Sequence, residues 1–285
     1  MPFQTYAIDA TPILPQDYLH QKPEDIYDQF YKLTEYLLKT YQRSGKTFLF
    51  KNWEGDNVLG KVSVRRGPFH TPTRREIRAM IANLDARYRG VSDARKAAGH
   101  PPGVQVLEAI EFNSVDNARR GQPSMLKSVI PYVRSDLLSC SAYDLAYREP
   151  TKVLDKRVLG GLTFLRKYPG VAGRPLMVGE FGESQDPSQN PFASEAKERL
   201  GILVRVFAAA GVPYVFYWQV SESKNGGDQG FGIFLPNGAK TPLWYAVHGL
   251  LRAPAGPASK PAATRPLRRP SSQLHLPSPA LSAAA

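Results

Sequence analysis

Short apolar runs alternate with amphipathic segments from residue 4 to residue 251, and the alternation predicts the elements directly. QTYAIDA (4–10) reads as a strand. PEDIYDQFYKLTEYLLKTYQ follows, with Ile26, Phe30, Leu33, Leu37 and Tyr41 at the spacing of one helix face. The strand TFLFKNW (47–53) comes next, then a helix over about 72 to 98 opened by the Thr-Pro-Thr signal at 71 to 73. VQVLEAIEFN predicts a strand, 122 to 131 a short helix, DLLSCSAY a strand, and 151 to 168 a helix. PLMVGEF (175–181) and PYVFYWQV are further strands, each followed by a helix, at 192 to 210 and in TPLWYAVHGLL. The pattern amounts to six consecutive strand–helix units.

Strands separated by helices pair in parallel, because a tight hairpin cannot join parallel neighbours. Their nearly continuous apolar character fits strands covered on both faces. A doubly wound sheet and a (β/α) barrel both satisfy this. No G-x-G-x-x-G or Walker A sequence follows the first strand, and the later GGDQGFG opens no suitable helix, so the barrel is the better expectation.

A barrel places chemistry at the carboxyl ends of its strands. Those ends read Asn52-Trp53-Glu54-Gly55-Asp56, Glu111-Phe112-Asn113, Ser141-Ala142-Tyr143-Asp144, Glu180, and Trp218-Gln219. Alternation groups Phe48, Phe50, Asn52 and Glu54 on one face, and Leu176, Val178 and Glu180 on another. If the apolar members fill the interior, both Glu54 and Glu180 point into the mouth, with Glu111 one layer deeper. Two converging glutamates divide labour when one is raised in pKa by apolar neighbours such as Trp53 and the other stays ionised. Glycoside hydrolysis uses such a pair, and Trp218 suits the apolar face of a sugar ring. From spacing alone, two separate surface carboxylates explain Glu54 and Glu180 equally well.

The order of these strand ends resembles the clan A retaining glycoside hydrolases. The resemblance rests on Glu54 after one strand, Tyr143 two strands later, Glu180 in VGEFG and Trp218 in YVFYWQ. The closing GFGIFLPNGAKTPLWYAV is also similar to the end of such barrels. The resemblance covers about residues 4 to 250 and implies a (β/α)8 barrel of TIM type without a cofactor or metal. It implies Glu180 as nucleophile and Glu54 as acid/base, with carboxyl groups about 5 to 5.5 Å apart. It further implies a substrate cleft lined by Asn52, Trp53, Asp56, Asn113, Tyr143, Trp218 and Gln219. The chain departs from the clan in two ways. Trp53 separates Asn52 from Glu54 where the clan has an adjacent Asn-Glu, leaving Glu111 as a possible substitute. If NWEGD ends strand four, the barrel is N-terminally incomplete, with about six units in a domain spanning 1–252.

The last stretch, 253–285, is rich in Pro, Ala and Ser, lacks an apolar period, and is expected to be a disordered tail. The 285 residues carry a formal charge of +12, which raises a polyanion as partner. Lys260, Arg265, Arg268 and Arg269 lie in the tail and the rest falls mostly on amphipathic segments, so nucleic acid is not the expected ligand. No apolar stretch approaches the roughly 18 residues that span a bilayer, and MPFQTYAIDA lacks the form of a signal peptide. The single cysteine, Cys140, reads as a buried thiol, and the five scattered histidines form no metal-ligand pair. The expected function is therefore cleavage of O-glycosidic bonds in an oligo- or polysaccharide. Its rivals are an inactive or purely carbohydrate-binding barrel and a polyanion-binding protein.

Overall fold

The computed structural model describes residues 4–9, 20–60, 71–146, 149–222 and 230–252. The tail at 253–285 and the first four residues of GGDQGFG lie outside the described residues. Six parallel strands stand side by side in chain order: β1 (Gln4–Asp9), β2 (Lys46–Lys51), β3 (Val104–Phe112), β4 (Leu137–Ser141), β5 (Leu176–Phe181) and β6 (Val215–Tyr217). They curve into a nearly closed barrel with helices alternating along the chain. The helices are α1 (Pro23–Thr40), α2 (Gly55–Gly60), α3 (Arg74–Ala97), α4 (Val115–Arg119), α5 (Met125–Ser128), α6 (Tyr143–Ala146), α7 (Thr151–Lys167), α8 (Ala196–Ala209) and α9 (Pro242–Arg252). No helix among the described residues is long and apolar enough to cross a membrane.

Local chemistry accounts for several boundaries. Thr73 and Glu76 form a reciprocal capping box that starts α3, satisfying two backbone donors at the helix entry. The single helix expected over 122 to 131 is instead α5 and a 3-10 turn at Ile130–Tyr132, with α4 before them. Gly121 at φ +70° and Pro123 interrupt the segment, and Pro131 has no N–H to extend it. The apolar stripe of α1 runs through Ile26, Leu37 and Leu38, whereas Leu33 is exposed. α1 packs on α3 closely at Gly90, where a Cβ would sit 2.5 Å from the carbonyl oxygen of Tyr27.

The two faces of the strands are the reverse of the sequence expectation. Phe48 and Phe50 cluster with Leu37 and Leu38 of α1 and Val91 of α3, and therefore face the helix layer. Leu49 instead packs with Ala109, Leu137 and Met177, a cluster of strand residues alone, which is the barrel interior. Leu176 and Val178 likewise join the helix-facing core with Leu162, Leu200 and Leu203. When both faces of a strand are buried, apolar character cannot tell the inner face from the outer. Here the bulkier aromatic residues of β2 fill the helix layer.

Candidate active site

Strict alternation from Val178 would send Glu180 outward, yet it lies among the mouth residues. The pairing of β4 with β5 skips a residue: Cys140 is opposite Val178 and Ser141 is opposite Glu180. This irregularity turns Glu180 inward, the role β-bulges play beside many active sites. Glu54 arrives by a different route. β2 ends at Lys51, and Glu54 occupies the turn into α2, where its carbonyl accepts the N–H groups of Asn57 and Val58.

The two glutamates meet across Ser141. That residue, paired in register with Glu180, donates its hydroxyl to Glu54 Oε1 at 2.8 Å. The other oxygen of Glu54 accepts from Asn57 Nδ2. Beneath them lies Glu111, fully buried, with Oε1 accepting from Lys51 Nζ at 3.0 Å and from the Glu54 backbone N–H at 3.2 Å. Its Oε2 accepts from Ser139 Oγ at 2.7 Å. Glu111 is thus inward and one layer down, as alternation predicts.

Burial pushes the Glu180 carboxyl up to about 8. The charges of Glu111 and Glu54 add to the rise, against Lys51 and a hydrogen bond from Tyr143. The Tyr143 hydroxyl is itself driven upward by burial and by Glu180 and Glu54, so it remains a proton-bearing donor. Glu111 is also raised by burial, with Lys51 opposing. Trp53, expected as an apolar neighbour of Glu54, is 38% exposed. Burial and neighbouring carboxylates thus favour the protonated form of Glu180, while Glu54 accepts from Ser141 and Asn57.

The remaining candidates divide into two groups. Asn52 is 1% exposed and bridges strands: its Nδ2 donates to the Glu111 carbonyl at 2.8 Å and its Oδ1 accepts the Glu111 N–H at 3.0 Å. Arg87 of α3 donates to the same Oδ1 while pairing with buried Glu108. Asp56 accepts the N–H groups of Asn113, Ser114 and Met125, and Asn113 Oδ1 accepts the Asp56 N–H. Asn52 and Asp56 thus hold the loops after β2 and β3 in place. Trp218, at 42% exposure, presents an open aromatic ring just beyond β6, and its backbone N–H donates to the Phe181 carbonyl. Half-buried Gln219 donates to Glu222, which also accepts the Gly232 N–H and so ties this end to the closing loop. β6 is shorter than PYVFYWQV implied because it pairs with β5 at only Val178 and Phe181.

Sequence reasoning assigned no role to Lys51, Asn57, Ser139 or Ser141. A lysine inside the apolar run TFLFKNW was the available signal, because buried cations need a partner. Among the described residues no group of three His, Cys, Asp or Glu is arranged to hold a metal ion. Cys140 is a buried thiol whose pKa burial drives well upward. A cavity of about 650 Å³ opens at the opposite end of the strands, lined by Thr5, Lys46, Thr47, Gln105 and Tyr214 among others, and no carboxylate lines it.

Raised carboxyls make stability depend on pH. Glu180 is held at about 8, and Glu108 and Asp144 at about 7, mainly by burial, from ordinary values near 4. Each binds its proton more tightly when folded. The stabilisation is complete below the ordinary range and is lost as pH rises through 7 to 8. The melting temperature is expected to be higher at pH 5 than at pH 8.5 by roughly 5 °C or more. Calorimetry at the two pH values checks this, and an equal or lower value at pH 5 contradicts it.

No family model and no curated protein matches the chain. Solved structures do share its fold. The AHE enzyme of Alicyclobacillus herbarius is similar with a TM-score of 0.51 at 14% identity, over 87% of this chain and 73% of that one. A family 5 xyloglucanase from Paenibacillus pabuli gives 0.49 at 12% identity, over 87% of this chain and 75% of its own. A monomeric beta-xylosidase from Caulobacter crescentus CB15 also gives 0.49, at 14% identity and over 88% of this chain. The chain spans about half, 52%, of that xylosidase. At these identities the similarity is one of fold: a parallel strand–helix barrel of the kind found in such enzymes.

Proposed function

We propose that the chain is a retaining glycosidase of the clan A type acting on an oligo- or polysaccharide. β2 and β5 take the places of the clan's fourth and seventh strands. Glu180 is the nucleophile and Glu54 the acid/base. The observation that supports the reading is Ser141, which is in register with Glu180 and bonded to Glu54 and so links the ends of the two strands that carry them.

In the first step the Glu180 carboxylate forms a bond to the anomeric carbon. The bond to the departing oxygen breaks, and Glu54 delivers its proton to that oxygen. In the second step Glu54 takes a proton from water, whose oxygen attacks the anomeric carbon and releases Glu180. Hydrolysis uses the arrangement with the proton on Glu54 and the charge on Glu180, and neighbouring carboxyls titrate as a group and not singly. Deprotonation of the acid/base removes the proton donor, so kcat/KM falls on the alkaline side. The Tyr143 hydroxyl steadies the Glu180 anion. Trp53 and Trp218 offer exposed aromatic faces for sugar rings, with Asn113 and Gln219 as polar neighbours. Asn52 and Asp56 serve as positioning residues.

One feature favours a second reading, a saccharide-binding barrel without turnover: burial raises the Glu180 carboxyl to about 8, whereas a nucleophile should be ionised. Proton NMR of a panel of aryl glycosides and soluble polysaccharides separates the two. Retention in the first product formed is expected. Inversion contradicts the two-glutamate retaining mechanism, and saturable binding without product supports the second reading.

A further inference from the structure

Glu111 touches the main chain around both candidate catalytic glutamates. On the β2 side its Oε1 accepts the Glu54 N–H at 3.2 Å. On the β5 side its Oε2 fills the space above Gly179, the residue before Glu180. A Cβ on Gly179 would overlap both Glu111 Oε2 and Ser139 Oγ. Lys51 and Ser139 fix the carboxylate at 3.0 and 2.7 Å, and the Asn52 amide clamps the Glu111 backbone from the other face. The whole assembly is buried.

A buried lysine–glutamate pair is a poor device for stability, since desolvation cancels most of its attraction and an apolar pair of similar volume does as well. Its place directly beneath Glu54 and Glu180 calls for another role. We propose that Glu111, held by Lys51 and Ser139, is the positioning residue of the site: its carboxylate fixes the main chain at Glu54 and at Gly179–Glu180, and so sets the separation of the two reacting carboxyls. The inference rests on the glycosidase reading. Glu111 does not touch the reacting atoms in this arrangement.

The same geometry gives the assembly electrostatic control of Glu180. The charged and titratable groups facing Glu180 are Glu111 from β3, Glu54 from the turn after β2, Lys51 from β2 and Tyr143 from α6. Glu111 raises the Glu180 carboxyl more than Lys51 lowers it. Removing the Glu111 charge therefore makes Glu180 easier to ionise. Removing Lys51 makes it harder.

The test is a carbon-13 NMR titration of side-chain carboxyls in glutamate-labelled protein, with the Glu180 signal assigned by its loss in Glu180→Gln. In Glu111→Gln the Glu180 midpoint is expected to fall by about one pH unit, and in Lys51→Met to rise. In Lys51→Met/Glu111→Gln, which preserves volume and leaves no buried charge, it is expected to fall. This double variant carries the test if either single variant does not fold. Gly179→Ala is expected to displace the Glu111 carboxylate and lower kcat at least tenfold with little change in KM, because it perturbs geometry and not ground-state contacts. An unchanged kcat in folded Gly179→Ala, or an unmoved Glu180 midpoint in the folded charge variants, overturns the proposal. The titration needs no turnover, so shifts of the expected sign without hydrolysis overturn the glycosidase reading while leaving the contact of Glu111 with the Glu180 site intact.

Discussion

Glu180→Gly is expected to lose hydrolysis of an activated aryl glycoside by roughly 10⁴-fold or more, and to recover part of it in added azide. The variant removes the attacking carboxylate and leaves a space of about its size beside the anomeric carbon. Azide entering that space attacks from the same side and yields a glycosyl azide of inverted configuration. Glu54→Ala gives the contrasting result, because there the covalent intermediate still forms when the leaving group needs no proton. Azide then intercepts it on the opposite face, and the product is retained. The pair of outcomes distinguishes the two roles, which matters because the Glu180 carboxyl is raised to about 8 while Glu54 accepts from Ser141 and Asn57. If Glu54→Ala gives the inverted azide and Glu180→Gly the retained one, the roles are exchanged. Glu180 is a raised, buried carboxyl, so its removal is not expected to weaken the fold.

Arg199→Met is expected to destabilise the protein by about 3 to 5 kcal/mol at pH 8, as loss of one partner does for buried ion pairs. Arg199 is 1% exposed and donates through Nε to Glu183 at 2.8 Å. It also donates to the carbonyls of Glu149 at 2.6 Å and Ala146 at 3.0 Å, and lies over the Phe192 ring. One side chain thus joins α8 to the loop after β5 and to the ends of α6 and α7. Without it Glu183 keeps only Asn190 among these partners, and the carbonyls of Glu149 and Ala146 lose this donor. Burial already raises the Glu183 carboxyl, and Arg199 is what opposes that rise. The variant therefore relieves its defect by protonating Glu183, and its cost should be smaller at pH 5. Urea denaturation at both pH values measures this, with Arg199→Met/Glu183→Gln expected to recover part of the loss. A cost under about 1 kcal/mol at pH 8 contradicts the assignment.

The alternation of apolar runs with helical periods made the parallel strand–helix order legible, since those two periods report directly on local geometry, and the missing nucleotide-binding motifs tipped the choice to a barrel. The inward direction of Glu180 followed from neither. It depends on the skipped residue between Val178 and Glu180, and a register shift leaves no trace in hydrophobicity. The orientation of β2 was invisible for a related reason: Phe48, Leu49 and Phe50 are all buried, so no polar position marks an exposed side. Asn52 and Asp56 looked like cleft residues because polar groups after strands often are. Their partners are backbone groups 57 to 69 positions away, a distance no local pattern encodes. Lys51 was the clue available in the strand itself.

The reversal of faces has a consequence for how this barrel can change over generations. On β2, Phe48 and Phe50 belong to the layer shared with the helices, while Leu49 and Lys51 belong to the interior that carries the carboxylates. Each strand thus interleaves two ledgers of residues at single-position spacing. Mutations on one set alter packing and leave the mouth untouched; those on the other retune charge and shape without loosening the helices. Drift in specificity and drift in stability can then proceed along the same short strand almost independently. The bulge at Gly179–Glu180 is where the two sets cross, and so is the position least free to vary.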